Sequence, residues 1–395
     1  MGLRQIIYLF ILVAFSASTR AYAQPIDAGI EAIDQAVIQP ETPVEWSGRT
    51  QLIKVIESLV DSARSKTAQR IGVSFVNLKT GEALLTHRST ERFHPASNIK
   101  LLTSAAALHV LGARHRWSTK IGTDRTENTR MNHLMIRGGG DPSLSIGNVA
   151  EWVLALKSMG FNQIDGDLIV DATLFESFGL PPGFADKEQD GAYRAAVSSI
   201  NLNWNHILIS ISDRGKTRGH VAVFPANDYV KIVNKTQVKP KVRRPISVSQ
   251  KVLKSKQRLL VKGELKRGRS RKFRRRIGSP LRFFTAALRE QLAQNKIRFK
   301  GKVRFESIKK LPKTLINHTS EPLSHIIKAI NSWSNNLSAE VVVLSMAQKR
   351  KLRTTFANGL GIVMSFASSH LKWSDFTMTN GSGLFGSTRV SPDQM

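Results

Sequence analysis

Apolar positions along the 395-residue chain alternate between helical and strand-like periods. Between residues 51 and 68, Leu52, Val55, Ile56, Leu59 and Val60 recur at helical spacing and predict one apolar helix face. Residues 71–77 and 83–86 read as two strands, with Lys79-Thr80-Gly81 supplying the turn of a hairpin. His94-Pro95-Ala96-Ser97 then leads into an apolar, alanine-rich run over 99–111 that predicts a buried helix. Pro95 stands at or just before its start, where a proline is tolerated, and Gly112 closes it. From about 119 to 310 the pattern is one of short strands and turns. Gly138-Gly139-Gly140-Asp141-Pro142 is a tight turn, 151–159 a short helix, and 167–171 a buried strand. Leu180-Pro181-Pro182-Gly183 is a loop, and 207–212 and 220–224 alternate like strands. Helical spacing returns at Leu323, Ile326, Ile327 and Ile330. A buried helix over 339–346 and a turn at Gly381-Ser382-Gly383 follow.

The composition, 41% hydrophobic and 22% charged, is that of a globular protein. Arg4, an apolar run over 6–15 and Ala21-Tyr22-Ala23 form the three parts of a signal peptide over 1–23, so export to the periplasm or cell envelope is expected. Ten apolar residues are too few to cross about 30 Å of hydrocarbon as a helix, and no later stretch is apolar enough to span. Pro25, Pro40 and Pro43 mark 24–45 as a leader or linker. The chain has no cysteine, which excludes thiolate catalysis and cysteine-ligated zinc. Its ten histidines show no close ligand spacing, so neither a metal site nor a cofactor is predicted. Charge is concentrated: residues 231–310 hold 28 Lys and Arg against three acidic residues, a net +25 of the chain's +30. Residues 266–276, KRGRSRKFRRR, are its densest part, and interleaved apolar residues such as Leu259, Leu260, Val261 and Phe273 predict basic strands and a loop.

Ser97-Asn98-Ile99-Lys100 places a hydroxyl and an amine three residues apart at a helix start, about 5–6 Å between Cβ atoms on one face. A serine needs its proton removed before it attacks, and a lysine removes it only when burial or a nearby cation lowers its pKa. Ile99, Leu101 and Leu102 supply apolar surroundings, and the helix N-terminus adds N–H groups and partial positive charge. The spacing alone is common, and a serine near a helix start is usually a cap.

The wider context resembles a family. Residues 94–108, from His94-Pro95-Ala96-Ser97 to Leu108, look like the active-site helix of the class C low-molecular-mass penicillin-binding proteins, the D-alanyl-D-alanine carboxypeptidase/endopeptidases. Arg137-Gly138-Gly139-Gly140-Asp141-Pro142 is similar to that family's GGGDP turn, and 164–171 to its following strand. Pro181-Pro182-Gly183, residues 197–203, Asn380-Gly381-Ser382-Gly383-Leu384 and Arg389-Val390-Ser391-Pro392 match later landmarks in order, so the resemblance runs from about residue 50 to the end. It implies Ser97 as acyl-accepting nucleophile and Lys100 as its base. Ser334-Asn335-Asn336 is similar to the family's Ser-x-Asn, with Ser334 passing a proton towards the leaving group and Asn336 holding the substrate amide.

The resemblance further implies an α/β (α+β) catalytic domain of the serine β-lactamase/transpeptidase kind, assembled from 46–118 and 311–395. A mainly β inserted region over 119–310 contains the basic segment 231–310. Peptidoglycan peptides are the implied substrates, and β-lactams the implied covalent inhibitors. The family also carries a Lys-Thr-Gly strand after the GSGL segment. Lys79-Thr80-Gly81 precedes the nucleophile and Lys216-Thr217 is followed by Arg218, so neither fills that place. The catalytic sheet is therefore expected to be C-terminally incomplete and activity impaired. A different class remains open: a non-catalytic envelope protein whose basic segment holds anionic polymers, nucleic acid being set aside because the chain is exported.

Overall fold

A computed structural model of the chain describes residues 49–67 and 71–395; the predicted signal peptide and linker lie outside the described residues. The chain divides into two compact units. In the first, helix α1 (Arg49–Thr67) follows the predicted helical spacing, and β1 (Val73–Val76) pairs antiparallel with β2 (Ala83–His87) across the predicted turn. The final residues, Arg389–Met395, belong to the same unit. Phe93 and Val390 exchange both backbone hydrogen bonds, and Ser89 Oγ donates to Asp393 at 2.8 Å.

The second unit, Ala96–Thr388, holds two kinds of structure. Its helical part contains α2 (Ile99–Leu111), which packs against α5 (Leu323–Ser332), α6 (Asn336–Lys349) and α7 (Phe356–His370). Its sheet part lies between α2 and α5 in sequence. A five-stranded mixed sheet has the order β16-β8-β6-β3-β17, formed by Val303–Phe305, Leu168–Asp171, Leu134–Arg137, Ser118–Thr123 and Lys313–Thr319. β3 and β17, the first and last of these in sequence, lie side by side and antiparallel. A small sheet joins β4 (Thr126–Glu127), β5 (Arg130–Met131), β7 (Gln163–Ile164) and β15 (Arg298–Phe299). Two three-stranded sheets follow. One is β10-β9-β14 (His220–Phe224, His206–Ser212, Ser270–Arg276). The other is β11-β13-β12 (Val230–Lys239, Gln257–Lys266, Ser247–Val252).

The sheets share one apolar core with α3 (Ile146–Ser158) and α4 (Pro280–Gln294), including Ile121, Ile136, Trp152, Val170, Ile209, Val261 and Phe284. Helix α3 starts five residues before the expected 151, because Ser145 and Asn148 form a reciprocal capping box. Helix α4 corrects the reading of the basic segment 231–310 as strands and a loop. Its signals are present: Pro280 occupies the first turn, and Phe283, Phe284, Ala287, Leu288 and Leu292 are buried at helical spacing. Each buried Phe contributes roughly 1.5–3 kcal/mol. The Gly138–Pro142 turn is fixed by Asp141, which is almost wholly buried. Its carboxylate accepts from the N–H and hydroxyl of Ser143 and lies 3.1 Å from His318 Nε2 on β17.

Candidate active site

Ser97 lies in a single 3₁₀ turn, Ala96–Asn98, that leads directly into α2. The helix cap is Asn98, with no side-chain cap bond, so the Ser97 hydroxyl is not spent on capping. Ala96, just before it, has φ +49°, a left-handed conformation costly for a residue with a Cβ. One turn on, Lys100 is 2% exposed while Ser97 is exposed. The reactive oxygen therefore faces solvent above an amine held out of it.

Three acceptors surround Lys100 Nζ: Ser97 Oγ at 2.9 Å, the Ser382 carbonyl at 2.8 Å and Ser334 Oγ at 3.3 Å. Ser334 Oγ in turn donates to Ser97 Oγ at 2.7 Å. The two hydroxyls and the amine thus form a closed triangle from residues up to 237 apart in sequence. Ser334 reaches it by adopting φ +52° in the short link between α5 and α6. Burial pushes the Lys100 pKa down to about 8, partly opposed by the negative charge of Glu340.

Glu340 is a site residue the sequence reading passed over. It lies on α6, is completely buried, and receives the backbone N–H groups of Gly381 at 3.2 Å and Ser382 at 2.8 Å. Burial raises its pKa, while hydrogen bonds from Ser382 and Gly381 and the Lys100 charge act the other way. The carbonyls of the same two residues point at α2: Thr103 Oγ1 donates to Gly381 O at 2.7 Å, and Lys100 to Ser382 O. The 380–384 turn is therefore clamped, its carbonyls by α2 and its amides by α6. Asn380 closes the turn internally, its Oδ1 accepting from Gly383 N and its Nδ2 donating to Leu384 O. A single carboxylate inside Ala339-Glu340-Val341-Val342-Val343 was the available signal, since a buried charge requires partners.

Asn335 and Asn336 divide the labour at the start of α6. Asn335 caps the helix by accepting from Ser338 N. Asn336 is not bonded to the triangle. Its Nδ2 donates to the Tyr193 carbonyl at 2.8 Å, and its buried Oδ1 has no hydrogen-bond donor among the described residues. Tyr193 is a second neighbour the sequence reading missed; it comes from a short 3₁₀ turn, Ala192–Arg194, far away in sequence.

A surface hydroxyl on a buried amine, with a second hydroxyl on the same amine, is the equipment of acyl transfer through serine. The chain belongs to the D-Ala-D-Ala carboxypeptidase 3 (S13) family, which matches residues 52–395. It is 26% identical over 365 residues to a D-alanyl-D-alanine carboxypeptidase of Actinomadura sp. (strain R39). That match covers 87% of this chain and 66% of the relative, so the chain spans just under two thirds of that protein's length. It is 23% identical to the D-alanyl-D-alanine carboxypeptidase DacB of Haemophilus influenzae, covering 85% of this chain and 72% of the relative. Among solved structures it is similar to penicillin binding protein 4 (dacB) from H. influenzae. The TM-score is 0.73 at 22% identity, covering 85% of this chain and 76% of that one. A second structure of that protein, complexed with a β-lactam, gives a TM-score of 0.66. The α/β fold of a penicillin-binding protein, expected from the sequence, is the fold of this chain.

Proposed function

We propose that this chain is a serine-type D-alanyl-D-alanine carboxypeptidase/endopeptidase that cleaves peptidoglycan stem peptides through an acyl-enzyme on Ser97. Lys100, as free amine, accepts the Ser97 proton while Oγ attacks the carbonyl carbon of the penultimate D-alanine. The tetrahedral intermediate collapses as a proton passes from Lys100 through Ser334 to the departing amine. The C–N bond breaks and an ester remains on Ser97. Water then attacks that ester with Lys100 again as base, and Ser97 regains its proton. A lysine lowered to about 8 suits this work, because a useful share is unprotonated near neutral pH. Asn336 is the residue proposed to hold a substrate amide; its Oδ1 has no donor among the described residues. A β-lactam acylates the same hydroxyl.

The observation that carries this reading is the Ser97–Lys100–Ser334 triangle. Residues 119–310 are proposed as an insertion between the two halves of that machinery; the side-by-side pairing of β3 and β17 supports an insertion there, with β17 (Lys313–Thr319) carrying its sheet a few residues past 310. Export to the envelope is part of the proposal and rests on residues 1–23. Among the described residues no helix is long and apolar enough to cross a membrane. The mature chain should be labelled by a fluorescent penicillin and release D-alanine from a stem pentapeptide. Ser97→Ala should lose the label while keeping its circular dichroism spectrum; a folded Ser97→Ala protein that still takes the label would refute the assignment. The charge of 231–310 supports an additional affinity for anionic envelope polymers, independent of the peptidase chemistry.

A further inference from the structure

The sheet β11-β13-β12 has two unlike faces. One, with Val230, Val248, Leu259, Val261 and Leu265, is buried in the common core, and Val238 on the same face is buried as well. The other carries seven exposed cations. On β11 these are Lys231, Lys235 and Lys239; on β13, Arg258, Lys262 and Lys266; on β12, Lys251.

Their placement follows from register. β11 and β13 run parallel with Lys231 beside Arg258, Lys235 beside Lys262 and Lys239 beside Lys266. Lys251 extends the first row from the other side of Arg258. Both strands repeat a cation every fourth residue, so the rows stand about 13 Å apart and the columns about 4.8 Å apart. The result is a double file of positive charge running along the strands for about 26 Å.

Like charges directly opposite one another across strands destabilise a sheet. None of the seven takes part in an ion pair among the described residues. The one acid on this face, Glu264, accepts instead from the backbone N–H groups of Arg243 and Arg244. The charge of Glu264 also acts on Lys239, so the fold holds a costly, only partly compensated array in fixed register.

We propose that this face is a docking surface for a linear polyanion lying along the strands, its anionic groups bridging the paired lysine columns. The narrow, straight file matches an extended polymer chain. The apolar residues between the rows, Val233 and Leu260, are half-buried, and no aromatic side chain stands on the face to enter a bilayer or stack on a base.

The test uses the mature chain and fluorescein-labelled linear polyphosphate, with affinity measured across a salt series. K235Q/R258Q/K262Q removes three charges from the face; R271Q/K272Q/R274Q removes the same number from exposed positions on β14. The face variant should bind about 100-fold more weakly near 0.1 M salt, with the slope of log affinity against log salt reduced by about two. It should also melt at a higher temperature than the parent chain without ligand, and the β14 variant should keep most of its affinity. Undiminished binding by the face variant, or equal loss in both variants, would show that net charge rather than this face is responsible. Binding to phosphatidylglycerol vesicles but not to soluble polyphosphate would replace the polymer with a membrane and overturn the proposal.

Discussion

Lys100 is a buried amine with two serines in reach, and its protonation state decides what those serines can do. Its pKa, lowered to about 8 by burial, sets a sign: below that value the ammonium donates to both hydroxyls, and above it the free amine accepts from Ser97. Acylation by a β-lactam should therefore rise with pH and level off above about 8. Glu340 works against burial, since its negative charge raises the Lys100 pKa. Glu340→Gln removes that charge, so the midpoint of the acylation profile should move to lower pH. It also leaves one of the two turn amides badly matched, which costs about 1–3 kcal/mol. A stopped-flow acylation series against pH reads the first effect, and a midpoint that stays put or rises would contradict it. Ser97 and Lys100 were legible because they are three residues apart in one segment, the 3₁₀ turn and the first turn of α2. Glu340 was not, because its partners, Gly381 and Ser382, are backbone groups some forty residues downstream.

At the scale of elements, the site depends on a turn pressed between helices. Gly383 has φ +72°, and a Cβ there would lie 1.8 Å from the Ala96 carbonyl oxygen. Only glycine lets the 380–384 turn meet the residue preceding Ser97. Gly383→Ala should destabilise the chain by about 1–3 kcal/mol and slow penicillin labelling by displacing the Ser382 carbonyl from Lys100. Urea unfolding followed by circular dichroism measures the first and labelling rate the second; unchanged values for both would show that the turn does not position the amine. Close approach also explains the helix missed over 356–370. Phe356, Leu360, Val363 and Ala367 keep the helical period, but Gly359 occupies the buried face between them. A Cβ on Gly359 would collide with the Val343 carbonyl on α6, so this contact requires a residue of low helix propensity inside the helix. The helices at 99–111 and 323–332 were read correctly because their buried faces carry continuous side chains.

For the whole molecule, a net charge of +30 makes self-repulsion a term in stability. Raising sodium chloride from about 0.01 M to 0.15 M shortens the screening length from about 30 Å to 8 Å. Melting temperature should climb over that range. A flat or falling melting curve would mean that the basic rows are compensated within the fold. The strongly basic run at 266–276 was conspicuous in sequence, yet the fold divides it: Lys266 ends β13, a turn follows, and Ser270–Arg276 form β14 in a different sheet. By itself the sequence determined the helix that bears Lys100 and begins just after Ser97, the order of the family's motifs and the concentration of charge, since these depend on spacing within single segments. Tertiary structure alone decided that Ser334 joins the amine, that Glu340 holds the opposing turn, and that two lysine-bearing strands stand in register. Each of those depends on distances between segments far apart in the chain, which are set by packing and strand pairing rather than by local period.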